Sequence, residues 1–250
     1  MMKQKELITF LEDYLKVKEI ADDSLNGLQV EGPEEIERIV TAVDAGISSF
    51  QAAVEEGAQL LLVHHGLFWG TSFALTGVYY QRIRLLVENH VGLYACHLPL
   101  DMHPAVGNNA LLARLLQLEE LVPFGEYHGR TIGLAGRLPV ARPLPELATF
   151  LADQLEGEVQ ALDFGAQEIR TVALVSGAGG HVMDQGLERF DLLLTGESSH
   201  STYRLAEDAH QSVLFAGHYA TETLGIRTLG DLLAERFSLH HTFLDLPSPY

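Results

Sequence analysis

Short apolar runs that end in Gly, His or Asp, and that alternate with helical patterns, appear twice along this chain in the same order. IERIVTAVDAG reads as a strand, ISSFQAAVEEGA as a helix and QLLLVHHG as a strand. VGLYACHLPLD is a third strand with its exit loop, and GNNALLARLLQL is a helix that the asparagines are placed to cap. In the second half IRTVALVSGAGG, DLLLTGE and SVLFAGH are strands. HVMDQGLERF, STYRLAEDA and TETLGIRTLGDLLAERF are helices, and LHHTFLD closes the chain as a strand. Strands this poor in polar residues, separated by helices, predict parallel βαβ units buried on both faces.

The halves can be overlaid. With Val40 on Val172, His64 and His65 fall on Gly196 and Glu197. With His97 on His218, Asp101 falls on Glu222, so each half ends a third strand with His-x-x-x-acid. The expected fold is α/β: two similar lobes from an internal duplication, with mixed or mostly parallel sheets flanked by helices. The lobes are expected at residues 1–124 and 125–250, the C-terminal part of the second completing the site of the first. VPFGEYHGRTIGLAGRLPVARPLPE, rich in Pro and Gly, marks their boundary, and RPLPELATFLADQL follows as a helix.

Open α/β sheets place their sites at strand ends, and here the strand ends carry metal-binding residue types. His64 and His65 close an apolar strand, and Gly66 eases a turn that lets adjacent imidazoles reach different ions. Asp101 follows His97 in the exit loop, and a carboxylate can bridge two divalent ions. His218 and Glu222, four apart, share a helix face if the helix starts at Tyr219. Five mixed donors, His64, His65, Asp101, His218 and Glu222, suit two divalent metals with open positions for water. Zn, Fe, Mn and Ni all fit the donor types.

Around this set, His97 reads as a proton carrier or a supporting group. Glu197 reads as a base or substrate contact, with helix capping as its competing role. His103 is divided between a ligand and a loop hydrogen bond. His90, His128, His181, His210, His240 and His241 lack ligand-like companions and read as structural. Ser176–Gly180 (SGAGG) is either a phosphate-cradling turn or a tight structural one.

The bulk properties narrow the function classes. The net charge is −18, and all four lysines lie in the first 18 residues, so a phosphate backbone is repelled and nucleic acid is not an expected partner. No apolar run spans a bilayer. The single cysteine, Cys96, excludes a disulfide framework and fits a cytoplasmic chain.

NGLQVEG, VHHGLFW, HLPLDMHPAVGNN, TGE and GHYATE, in this order, resemble the Nif-three-like family, also labelled GTP cyclohydrolase I type 2. The resemblance covers nearly the whole chain. It implies a two-metal centre on His64, His65, Asp101, His218 and Glu222, with His97 nearby, in a toroidal homohexamer. It also implies a hydrolase of a nucleotide-like small molecule that opens a purine ring at C8. A metal-dependent phosphoesterase, and a metal-binding regulatory protein without turnover, are the competing readings.

Overall fold

The computed structural model describes residues 1–197 and 199–248. Its elements in chain order begin with β1 (Met2–Lys3), α1 (Gln4–Tyr14), β2 (Gly27–Val30), β3 (Glu35–Ile36), β4 (Arg38–Asp44), α2 (Ile47–Glu55) and β5 (Leu60–His65). Next come α3 (Gly77–Glu88), β6 (Gly92–Ala95), α4 (Leu98–Asp101), α5 (Asn108–Leu115), β7 (Glu119–Tyr127), β8 (Arg130–Pro143) and α6 (Leu144–Leu155). The chain ends with β9 (Gln160–Leu162), β10 (Glu168–Val175), β11 (Leu192–Thr195), α7 (His200–Asp208), β12 (Ser212–Phe215), α8 (His218–Phe237) and β13 (His240–Phe243).

The fold is α/β and divides into two compact units. One comprises Met1–Leu100 with Gly225–Leu246, and the other contains Asp101–Leu224. This differs from a division at 124/125. β13 runs parallel to β4, from His240 opposite Arg38 to Phe243 opposite Thr41, which ties the C-terminal segment into the first sheet. The division therefore falls between Leu100 and Asp101 in α4 and again between Leu224 and Gly225 in α8.

The first unit holds a five-stranded sheet in the order β13-β4-β5-β6-β2. β4, β5 and β6 are parallel, and β2 runs antiparallel to β6 at the edge. β5 is buried from Leu60 to His64, as a central parallel strand covered on both faces must be. Val40, Leu61, Val63 and Leu93 pack with Phe50, Ala53 and Leu86 in one apolar cluster.

The second unit holds a six-stranded sheet in the order β7-β8-β10-β11-β12-β9. β10, β11 and β12 are parallel, and the others are antiparallel. Each unit thus contains three successive parallel strands, β4-β5-β6 and β10-β11-β12, as expected from the repeat, and in the first unit β13 adds a fourth parallel strand beside β4. Leu147 and Leu151 of α6 pack with Val172, Leu174, Leu192 and Leu214.

Three local expectations are corrected. The Pro- and Gly-rich stretch after residue 121 marks no boundary: it lies inside the second unit and forms most of the β7–β8 hairpin. HVMDQGLERF is not an α-helix, because only a 3-10 segment, Gly179–Gln185, forms there. The exit loop after β6 contains the single-turn helix α4. Among the described residues, no helix is long and apolar enough to cross a membrane.

Candidate metal centre

In the first unit the carboxyl ends of the parallel strands β4, β5 and β6 deliver Asp44 (β4), His64 and His65 (β5), and His97 just beyond β6. The strand β5 is paired as far as His65, which lies opposite Asp44. Gly66 then lets the chain pass close to its neighbours. A Cβ there would collide with the Gln29 side chain and with Ala95 Cβ, and Gln29 Oε1 accepts the Leu67 N–H at 2.7 Å.

The three imidazoles are wired alike. His64 Nδ1 is 3.0 Å from the Cys96 carbonyl, which can only accept, so Nδ1 carries the proton. His65 Nδ1 lies 2.8 Å from Asp44 Oδ1. His97 Nδ1 lies 3.0 and 3.1 Å from the two oxygens of Asp22. Each acceptor fixes a ring and its tautomer, so coordination at each ring would use Nε2. This is how histidine ligands are usually supported. Ring centroids are 4.7 Å apart for His64 and His65, 5.1 Å for His64 and His97, and 5.6 Å for His65 and His97. Their donor nitrogens lie within 4.8 Å of one another, so the group could hold a metal ion.

Asp22 is the residue that sequence reasoning missed. Its side chain is only 3% exposed. It accepts from His97, from the N–H groups of Leu98 and Ser24, and from the Asn26 amide. Burial pushes its carboxyl upward, but the hydrogen bond and electrostatic attraction of the His97 ring, with help from Asn26 and Ser24, outweigh this and hold it at about 2. Asn26 Oδ1 accepts the His97 N–H at 2.7 Å. The clustered Asp22, Ser24 and Asn26 were the available signal, since these residue types favour turns closed by their own side chains.

In the second unit Asp101 ends α4 and is buried. Its Oδ1 accepts from Ser176 Oγ and from the Asn108 amide, each at 2.8 Å. Asn108 and Asn109 do not cap α5, whose N-cap is Gly107. Asn109 instead accepts the Ser176 N–H at 2.8 Å and donates to the Ile132 carbonyl at 2.9 Å. The two asparagines hold Asp101 and Ser176 in place.

His218 opens α8, one residue earlier than a start at Tyr219, and the expected i,i+4 pair forms. His218 Nε2 is 3.1 Å from Glu222 Oε2, and Nδ1 is 3.3 Å from Glu197 Oε2. Burial lowers the His218 pKa, but the two carboxylates outweigh that effect and raise it to about 9. Glu222 is buried and Glu197 half-exposed.

Gly177, within SGAGG, explains the seating of this pair. It has φ +61, and a Cβ would collide with Glu222 Oε1 and crowd His218 Nε2. The turn thus makes room for the two side chains, which is its structural reading. His103 accepts the N–H groups of Ala105 and Val106 through Nδ1, each at 3.2 Å, which fits the loop role. His241 bridges buried Thr41 and Asp231, at 2.8 and 2.9 Å; it too is structural.

These features define an α/β protein of two duplicated units whose strand ends carry histidine and carboxylate groups able to hold metal. The family model for Duf34/NIF3 (NGG1p interacting factor 3) matches residues 2–249, and the chain belongs to that family. Among its relatives is a "GTP cyclohydrolase 1 type 2 homolog" of Pyrococcus abyssi, 47% identical over 99% of both chains. A protein of the same name from Deinococcus radiodurans is 42% identical, covering 97% of this chain and 93% of its own. Among solved structures, TTHA1606 from Thermus thermophilus matches with a TM-score of 0.93 and 38% identity over all of both chains.

Proposed function

We propose that this chain is a metal-dependent hydrolase of a nucleotide-like small molecule, opening a purine ring in the manner of a GTP cyclohydrolase. The observation that carries the reading is the common wiring of His64, His65 and His97. Each Nδ1 is committed to an oxygen acceptor, an arrangement that would serve coordination at Nε2 of His64 and His65 and proton transfer at Nε2 of His97. The names carried by the relatives supply the substrate class.

On this reading His64, His65, Asp101, His218 and Glu222 would be the ligands of two divalent ions. The donor chemistry fits, since imidazole nitrogens and carboxylate oxygens suit Zn, Fe, Mn or Ni alike. Bound divalent ions supply Lewis acidity and make water nucleophilic near neutral pH. His97, its Nδ1 proton held by Asp22, offers Nε2 to take a proton from the attacking water and return it to the opening ring. Glu197 is the second proton carrier, through its contact with His218. Opening the imidazole ring of guanine consumes water twice and releases C8 as formate. The working assembly is a homohexamer in the cytoplasm.

The test is formate release from GTP by purified, metal-loaded protein. Formate in amounts exceeding the enzyme supports the reading. Its absence sinks the cyclohydrolase assignment, and phosphate release in its place would identify a phosphoesterase. Elemental analysis of the His65→Ala, Glu222→Ala double variant tests the ligands separately; unchanged metal content refutes them.

A further inference from the structure

Trp69 follows the histidine pair by four residues, and its position is unusual for an indole. It is 38% exposed, although tryptophan is among the costliest side chains to leave in water. It is also tightly held. Nε1–H donates to the Gly66 carbonyl at 2.9 Å. The backbone of Trp69 is bridged to Ser24 and Thr71. Leu25 N–H donates to the Phe68 carbonyl at 2.9 Å, and Gly70 N–H to the Asp23 carbonyl at 2.7 Å. An exposed aromatic ring fixed by its own loop on both sides is preorganised, and preorganised rings bind flat partners at low entropic cost.

Its surroundings indicate what such a partner would meet. The indole centroid is 4.9 Å from the His97 ring, at an interplanar angle of 71°, and 5.9 Å from the His65 ring. Trp69 therefore stands at the edge of the three-imidazole group. Its single polar hydrogen is already used by Gly66, so it offers outward a π surface and no donor. That surface recognises the face of a ring, not a phosphate or a hydroxyl.

We propose that Trp69 is a stacking platform on which a planar heteroaromatic ring of the substrate lies beside His65 and His97. The residue selects for ring-bearing substrates and orients the ring towards the imidazoles. This rests on the hydrolase reading for the substrate class, but its test does not need turnover.

Trp69 is the only tryptophan in the chain, so intrinsic tryptophan fluorescence reports this side chain alone. Zinc-loaded protein is titrated with guanosine, guanosine monophosphate and ribose phosphate. Guanosine and its monophosphate are expected to change the emission saturably, and ribose phosphate to leave it unaltered. By equilibrium dialysis Trp69→Ala is expected to bind guanosine about tenfold more weakly or worse, as lost base stacking predicts. Trp69→Phe, which restores a ring, should recover most of that loss, and both variants should keep wild-type zinc content.

The proposal is overturned if neither guanosine compound changes the emission, if the alanine variant binds as tightly as wild type, or if phenylalanine rescues nothing. The two readings fail separately. Formate release with unaltered guanosine affinity in Trp69→Ala removes the platform and leaves the hydrolase. Saturable quenching without any turnover removes the hydrolase and leaves the platform.

Discussion

The carboxylate of Asp22 lies 3.0 Å from Nδ1 of His97, across 75 residues of chain, and the same carboxylate closes the turn that holds Asn26 against the His97 backbone. One buried acid therefore sets both the orientation and the tautomer of the ring. Asp22→Asn should reduce turnover roughly 10- to 100-fold, the range found when the partner of a site histidine is removed. Steady-state kinetics on GTP, with metal content as a control, would check this. Unaltered kcat would show that Asp22 serves only the turn.

The same residue predicts a stability limb in acid. The carboxyl of Asp22 is lowered from 3.8 to about 2 on folding. A depressed carboxylate contributes its stability above the unfolded value and loses it as pH falls from 3.8 towards 2. For this nearly buried side chain the contribution is about 2 kcal/mol. Urea unfolding across that window should show a steeper loss of stability in wild type than in Asp22→Asn. Parallel curves would refute the assignment.

Metal uptake should release a proton from His218. Without metal its pKa is raised to about 9, so the ring is protonated at neutral pH. A metal must displace that proton, and apparent affinity should rise about tenfold per pH unit up to about 9. Calorimetric titration with Zn in buffers of different ionisation enthalpy measures the released proton directly. Heats independent of the buffer would show that His218 is not a ligand.

Gly177 and Gly129 form a matched pair for testing the seat of Glu222. Both have positive φ, +61 and +73, but an added Cβ meets Glu222 and His218 at Gly177 and nothing within 4 Å at Gly129. Gly129→Ala should cost about 1 kcal/mol from backbone strain alone. Gly177→Ala should cost more and also lose metal, by thermal unfolding and elemental analysis. Equal behaviour of the two variants would remove Gly177 from the site.

A homohexamer of this 27.5 kDa chain has a mass of about six times that value. Light scattering on the size-exclusion peak reads the mass, and a monomer peak would remove the ring assembly from the proposal.

The sequence by itself determined the strands of both parallel cores and their helices other than HVMDQGLERF, and the positions of the histidine pair and the two His-x-x-x-acid motifs. All of these are local: apolar runs of strand length, and spacings of one or four residues that fix which side chains share a face. The His218–Glu222 pair, read from a spacing of four, forms at 3.1 Å. Tertiary structure decided what surrounds those residues. Asp44 reaches His65 because two parallel strands are in register across 21 residues. Asn108 and Asn109, read as helix caps, instead hold Asp101 and Ser176, and β13 joins a strand some 200 residues earlier in the chain. Such partners depend on strand order and register, which no short window of sequence encodes. The candidate side chains were therefore legible from the chain, and the groups that orient them only from the fold.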